Sequence, residues 1–143
     1  MSNSGKIVIK TISKPGKEDA KTLTDWFLTS FDLSNKGDEQ EQAMFREIVS
    51  SSLKGIGTTS KALNEEFNLP LSTVIYHLNK FIGSGLVIRK GRRYFLRAND
   101  FETTIQELQA EMLTEFGRMM QFASKLDEIF EEEIHGRRKK GNR

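Results

Sequence analysis

Between Pro70 and Asn99 the chain has no carboxylate. Ser72, Thr73, Tyr76, Asn79 and Lys80 lie there at offsets that share one face of a helix. Hydroxyls and an ammonium suit phosphate oxygens, the Asn79 amide can bond an adenine edge, and Tyr76 can stack on a sugar or touch a thymine methyl. Arg89, Lys90, Arg92 and Arg93 follow around Gly91, where a tight turn is expected. A tip of that kind can cross a phosphate backbone or send a guanidinium into a minor groove. An ordinary solvated helix face would carry more Glu and Lys. The missing acids are explained if the opposing surface is a polyanion.

The elements that must position these groups are readable from spacing. Val74, His77, Leu78 and Phe81 form a stripe at i, i+3, i+4 and i+7, so the helix after Pro70 buries the face opposite Tyr76 and Asn79. His77 falls on the inner side, as a hydrogen-bonded core residue rather than a ligand or catalyst. A short helix over 60–67 precedes it, with Thr58 or Thr59 as cap and Ala62, Leu63 and Phe67 facing inward. Asn68 tolerates the left-handed conformation that stops a helix, and Leu69 plugs the core. Leu86–Lys90 and Arg93–Arg97 read as a hairpin, with one side of the returning strand in the core. Upstream, residues 41–53 read as an amphipathic helix with Phe45, Ile48, Val49 and Ser52 on one side. Residues 18–32 read as another, with Ala20, Leu23, Trp26, Phe27 and Phe31 apolar. Lys6–Ile12 reads as a short strand.

Asp100 should cap a final helix running to about His135. Its apolar positions from Phe101 to Ile134 make nine steps over 33 positions, about 3.67 residues per step, closer to a straight helix than to a left-handed coiled coil. At 1.5 Å per residue such a helix is roughly 50 Å long and overshoots a small domain. Ile105, Leu108, Met112, Phe116, Met119 and Leu126 are therefore expected to meet the same helix of a second subunit. Its Met and Phe residues would also suit a hydrophobic effector, though a packed dimer seam explains them with fewer assumptions.

Composition narrows the classes. There is no cysteine, which excludes disulfides, thiolate metal sites and cysteine nucleophiles. Net charge is only +2, but it is segregated: residues 86–97 carry five bases and no acid, residues 100–135 ten acids and two bases, and residues 136–143 five bases and no acid. No apolar run reaches the roughly 18 residues of a membrane span, and the first residues lack a signal-peptide core. A cytoplasmic, nucleoid-associated protein is expected. No phosphate-cradling glycine loop and no Ser-His-acid pattern stands out, so no enzyme and no cofactor is expected. The oxygen and nitrogen cluster visible in the sequence is His135 with Asp127, Glu128, Glu131 or Glu132, and solvated charge accounts for it better than a metal does.

The Ala62-Leu63 pair, the Asn68-Leu69-Pro70 turn, Ser72-Thr73-Val74, Tyr76-His77-Leu78, the Gly85-Leu86-Val87 exit and the basic hairpin together resemble the ArsR-like winged helix-turn-helix regulators, particularly those of archaea. Phe45 to Arg97 carries the likeness. It implies a mainly α fold with a small β-hairpin wing, a recognition helix for double-stranded DNA, and a long terminal helix that pairs subunits. One departure matters: soft-metal sensors of that family use cysteines in the helix before the recognition helix, and here that helix has none. The expected organisation is an N-terminal extension (1–40), a winged-helix DNA-binding domain (41–99), a dimerisation helix (100–135) and a basic tail (136–143). The other reading is a winged helix that docks on protein machinery without reading DNA sequence.

Overall fold

A computed structural model describes residues 7–10, 12–33 and 38–141, with side chains to 136. The chain divides into two compact units, residues 1–106 and 107–143.

The first unit contains α1 (Ala20–Ser30), α2 (Glu39–Leu53), β1 (Thr58–Thr59), α3 (Ser60–Phe67), α4 (Leu71–Gly83), β2 (Val87–Lys90), β3 (Arg93–Leu96) and the first residues of α5 (Phe101–Gly141). Three of the helix starts are fixed by aspartate caps. Asp19 accepts from the Thr22 N–H at 2.7 Å and Asp38 from the Glu41 N–H at 3.1 Å. Asp100 does the same for α5, accepting from the Thr103 N–H at 2.7 Å. Thr59 ends β1 and caps α3, its hydroxyl accepting from the Ala62 N–H at 3.0 Å.

The turn between α3 and α4 follows from two residues. Asn68 takes φ 51° and ψ 47°, the left-handed conformation that ends the helix. The Asn64 side-chain amide then donates to the Leu69 carbonyl and fastens the turn. Pro70 is the N-cap of α4 rather than its first helical residue, and no side chain caps that end.

The sheet is antiparallel in the order β1-β3-β2. Lys90 pairs with Arg93, so Gly91 and Arg92 form a two-residue turn. Gly91 has φ 62° and Arg92 does not share the positive φ, the pattern of a II′ hairpin turn. The third strand, β1, was not expected from the sequence: it is two residues long, too short to carry a periodicity. Gly57 leads into it at φ 75°, and a Cβ there would stand 2.7 Å from the Phe95 ring. Any side chain there would force that ring to shift.

The core lies where α2, α4 and the sheet meet. Met44, Phe45, Ile48, Leu63, Val74, Leu78, Phe81, Leu86, Val87, Tyr94 and Leu96 are all nearly inaccessible. Phe45 packs edge-on against Phe81 and Phe101, with ring centroids 5.3 and 5.7 Å apart. The buried Ser52 hydroxyl accepts from the Leu96 N–H at 2.8 Å and ties α2 to β3.

Several expectations are corrected. Residues 7–10 and 12 pair with no strand; Lys10 instead donates its N–H to the Ser30 carbonyl at 2.7 Å, so this segment straps the end of α1. Lys6 and Thr11 of that expected strand lie outside the described residues. Ala62 is exposed and Phe67 half-buried, because only Leu63 of the short α3 points directly at the core. On α1 the deeply buried residue is Leu28, while Leu23, Trp26 and Phe27 stay half-buried and Ala20 is exposed.

In the second unit α5 continues to Gly141, past the expected stop near His135, since Gly136 alone does not halt a helix that Glu and Lys favour on both sides. Leu113, Phe116, Met119, Met120, Phe122, Leu126, Ile129, Phe130 and Ile134 are exposed along it. No helix among the described residues is long and apolar enough to cross a membrane.

The caps make an acid-sensitivity prediction. The Thr103 backbone hydrogen bond holds the Asp100 carboxyl below its ordinary value of 3.8, and Thr22 does the same for Asp19. A depressed value in the folded state stabilises above the unfolded value and is lost as pH falls through the folded one. Asp100→Asn keeps a cap and does not titrate. Its urea midpoint should therefore fall less than the parent's between about pH 5 and about pH 2.5. Equal falls in both proteins would contradict the cap's role.

Candidate nucleic-acid interface

Helix α4 turns Ser72, Tyr76 and Asn79 outward, with Thr73 and Lys80 at the margins of the same face. Tyr76 is 61% exposed, which the buried stripe of Val74, His77, Leu78 and Phe81 on the opposite side explains. The sequence expectation of an outward polar face therefore matches the burial pattern at Ser72, Tyr76 and Asn79, while Thr73 and Lys80 are half-buried.

Lys80 is committed elsewhere. Its Nζ lies 2.9 Å from Glu41 Oε2, and its side chain is only 29% exposed. Glu41 is fully buried, and its Oε2 also accepts from His77 Nδ1. An ionised carboxylate only accepts, so that imidazole nitrogen carries the hydrogen. The positive end of α2 stabilises Glu41 further, since it sits in the first turn. Two residues of α4, Lys80 at the margin of its outer face and His77 on its inner side, are thus tied to the start of α2. Lys80 brings the α4 face less positive charge than its sequence position implied.

Sequence reasoning missed this group because Glu41 is separated from His77 and Lys80 by 36 and 39 residues. An acid at the start of an amphipathic helix reads as ordinary capping chemistry. Asp38, Glu41 and His77 bring donor atoms within 4.8 Å of one another. That is a better cluster than the one at His135, where among the described residues the imidazole meets only Glu131, at 3.2 Å in the open. The Lys80 ammonium already supplies a cation at Glu41, so the donor set reads as an ion-pair network.

The wing carries the stronger charge. Arg89, Lys90, Arg92 and Arg93 are all exposed, and among the described residues none pairs with a carboxylate. Their stems are held in place. Arg89 Nε donates to the Gly91 carbonyl at 2.8 Å and its guanidinium lies 5.5 Å from the Tyr94 ring centre. Lys90 sits over Phe95 at 5.4 Å, and Arg93 Nη1 donates to the Ile56 carbonyl at 3.3 Å. Arg92, at the turn, makes no such bond among the described residues.

Arg89 and Arg92 also line a polar notch of about 360 Å³ with Thr59, Ser60 and Lys61. The strand β1 brings this about by pairing with β3, Thr59 opposite Arg93. Lys61 thereby joins the cationic surface, an addition no local sequence signal announces.

Of the residues expected at a subunit interface, Leu108 is buried and Ile105 and Met112 half-buried in the single chain, while Phe116, Met119 and Leu126 are exposed. The apolar row open to a partner therefore begins near Leu113.

A three-helix core, a helix-turn-helix formed by α3 and α4, and a three-stranded sheet ending in a basic hairpin define a winged helix-turn-helix, followed by a long C-terminal helix. Comparison with protein-family models, curated proteins and solved structures finds no match.

Proposed function

We propose that the protein is a sequence-specific, double-stranded-DNA-binding transcriptional regulator acting as a homodimer, without enzymatic activity. The observation that carries the reading is the continuous absence of carboxylate from an exposed strip: Ser72, Thr73, Tyr76 and Asn79 on α4, then Arg89, Lys90, Arg92 and Arg93 on the wing. In this reading α4 enters the major groove, Asn79 and Tyr76 meet base edges, and the uncapped start of α4 offers backbone N–H groups to a phosphate. The wing lies on the backbone or in the adjacent minor groove. Lys80 acts as a positioning residue through Glu41 rather than as a phosphate contact.

The exposed apolar row on α5 supports pairing. Phe116, Met119, Leu126 and Phe130 lie on a continuous stripe at helical spacing, more apolar surface than a lone soluble helix leaves open. Two such helices side by side cover it, and a two-fold axis then makes the DNA site palindromic. The ArsR-like resemblance points the same way, with the cysteine-free α3 separating this chain from thiolate metal sensors.

Selection of bound sequences from a random DNA pool tests the reading as a whole. A recovered motif with two-fold symmetry is expected. Asn79→Ala should alter the preferred base at one position of each half-site and leave the salt dependence unchanged. A pool that shows no enrichment at about 50 mM salt, where electrostatic binding is strong, overturns the proposal.

A further inference from the structure

We propose that the groove between α1 and α2 is a binding site for a small apolar monocarboxylate, such as a medium-chain acyl or aryl acid. The groove has a volume of about 560 Å³, within the roughly 300–1,000 Å³ common for small-molecule sites. Leu23 and Phe27 from α1, Phe45 and Val49 from α2, and Phe101 form its walls. Phe27 and Phe101 meet edge-on at 4.7 Å and fix one side.

The unusual member of the lining is Arg46. It is half-buried, its Nη1 is shielded from solvent, and that nitrogen has no hydrogen-bond partner. Among the described residues no carboxylate pairs with this guanidinium. A guanidinium never loses its proton in a protein, so it cannot escape the cost of poor solvation by neutralising itself. Lys54 adds a second cation to the lining, and no acid is present there. Apolar walls with two cations and no acid in the lining suit a molecule with a hydrocarbon body and one negative end. The carboxylate would lie against the guanidinium edge that faces the groove, in the two-bond geometry that carboxylates and guanidinium groups share.

The site does not require DNA binding, and it lies on elements that carry none of the wing arginines.

Titration calorimetry of the full chain with octanoate and with 1-octanol tests the site. Octanoate should bind, and at least about tenfold more tightly than the alcohol, because only the acid offsets the Arg46 charge. Arg46→Gln keeps a polar side chain of similar reach and removes the charge; it should erase most of that tenfold difference while leaving the alcohol unaffected. Val49→Trp, which fills the groove, should weaken both ligands, with circular dichroism confirming that each variant is folded. Equal binding of acid and alcohol, an unchanged preference in Arg46→Gln, or no binding of octanoate overturns the proposal. So does octanoate that binds only by splitting a dimer in sedimentation, because the groove would then belong to a subunit contact.

Discussion

Replacing Arg92 and Arg93 together by alanine should weaken binding to every DNA sequence alike. Each arginine, if it gives one charge-assisted hydrogen bond to phosphate worth roughly 1.5 kcal/mol, accounts for about a tenfold change, so the pair is worth about a hundredfold per subunit. The slope of log affinity against log salt should become shallower by about 1.8 per subunit, two phosphates at about 0.9 each. The two residues are unequal. Arg92 stands at the hairpin turn with no side-chain bond among the described residues, whereas Arg93 already donates to the Ile56 carbonyl at 3.3 Å. Arg92→Ala alone should therefore change binding and leave the thermal midpoint where it was. Arg93→Ala should also loosen the junction of the wing with the segment before β1. A double variant that binds DNA with the parent's affinity and salt slope removes the wing from the interface.

Glu41→Gln should move stability and DNA affinity in opposite directions. The carboxylate is wholly buried, and two donors converge on its Oε2, Lys80 Nζ at 2.9 Å and His77 Nδ1. Removing its charge leaves both donors with a weaker acceptor inside the protein. Breaking a buried pair from one side costs about 3–5 kcal/mol. Lys80 can turn toward solvent from its margin position, and the amide retains one acceptor, so about 1–3 kcal/mol is expected here. That is a large share of the roughly 5–15 kcal/mol that holds a domain together.

The same change releases an ammonium onto the face of α4. If α4 lies against DNA, affinity at low salt should rise and the salt slope should steepen by about 0.9 per subunit, as one more phosphate is neutralised. Urea unfolding and a salt titration of DNA binding read the two effects separately. A variant that loses no stability would show that the ion pair is not the tie between α2 and α4. A variant that loses stability while its affinity stays unchanged would place Lys80 off the DNA surface.

The elements that carry the site were legible because their signals are local. Asn68 ends α3, and Pro70, Gly91 and Asp100 each marked a boundary where the chain turns or a helix starts. The stripe from Val74 to Phe81 told which side of α4 faces out, and helical geometry leaves no freedom in that once the inner side is known. The wing was legible for the same reason: two short strands and a glycine with positive φ define where its arginines emerge.

What the sequence could not supply were pairings between distant segments. Lys80 has the type and spacing of a phosphate contact, and nothing near it in the chain hints at Glu41. Lys61 gives no sign of joining the wing until Thr59 pairs with Arg93 in the sheet. Arg46 reads as one more polar residue on α2 until the fold shields its Nη1 and leaves that nitrogen without a partner among the described residues.

By itself, then, the order of side chains determined the helices, the turn between α3 and α4, the hairpin, and the outward direction of Tyr76 and Asn79. All of these follow from backbone preferences and from periodicity within a dozen residues. Tertiary structure alone decided which charges stay free among the described residues: Arg92 does, Lys80 does not, and the half-buried Arg46 has no counter-ion there. The reason is physical. A charge's behaviour depends on what lies within a few ångströms of it, and in a folded chain those neighbours come from segments that sequence proximity does not connect.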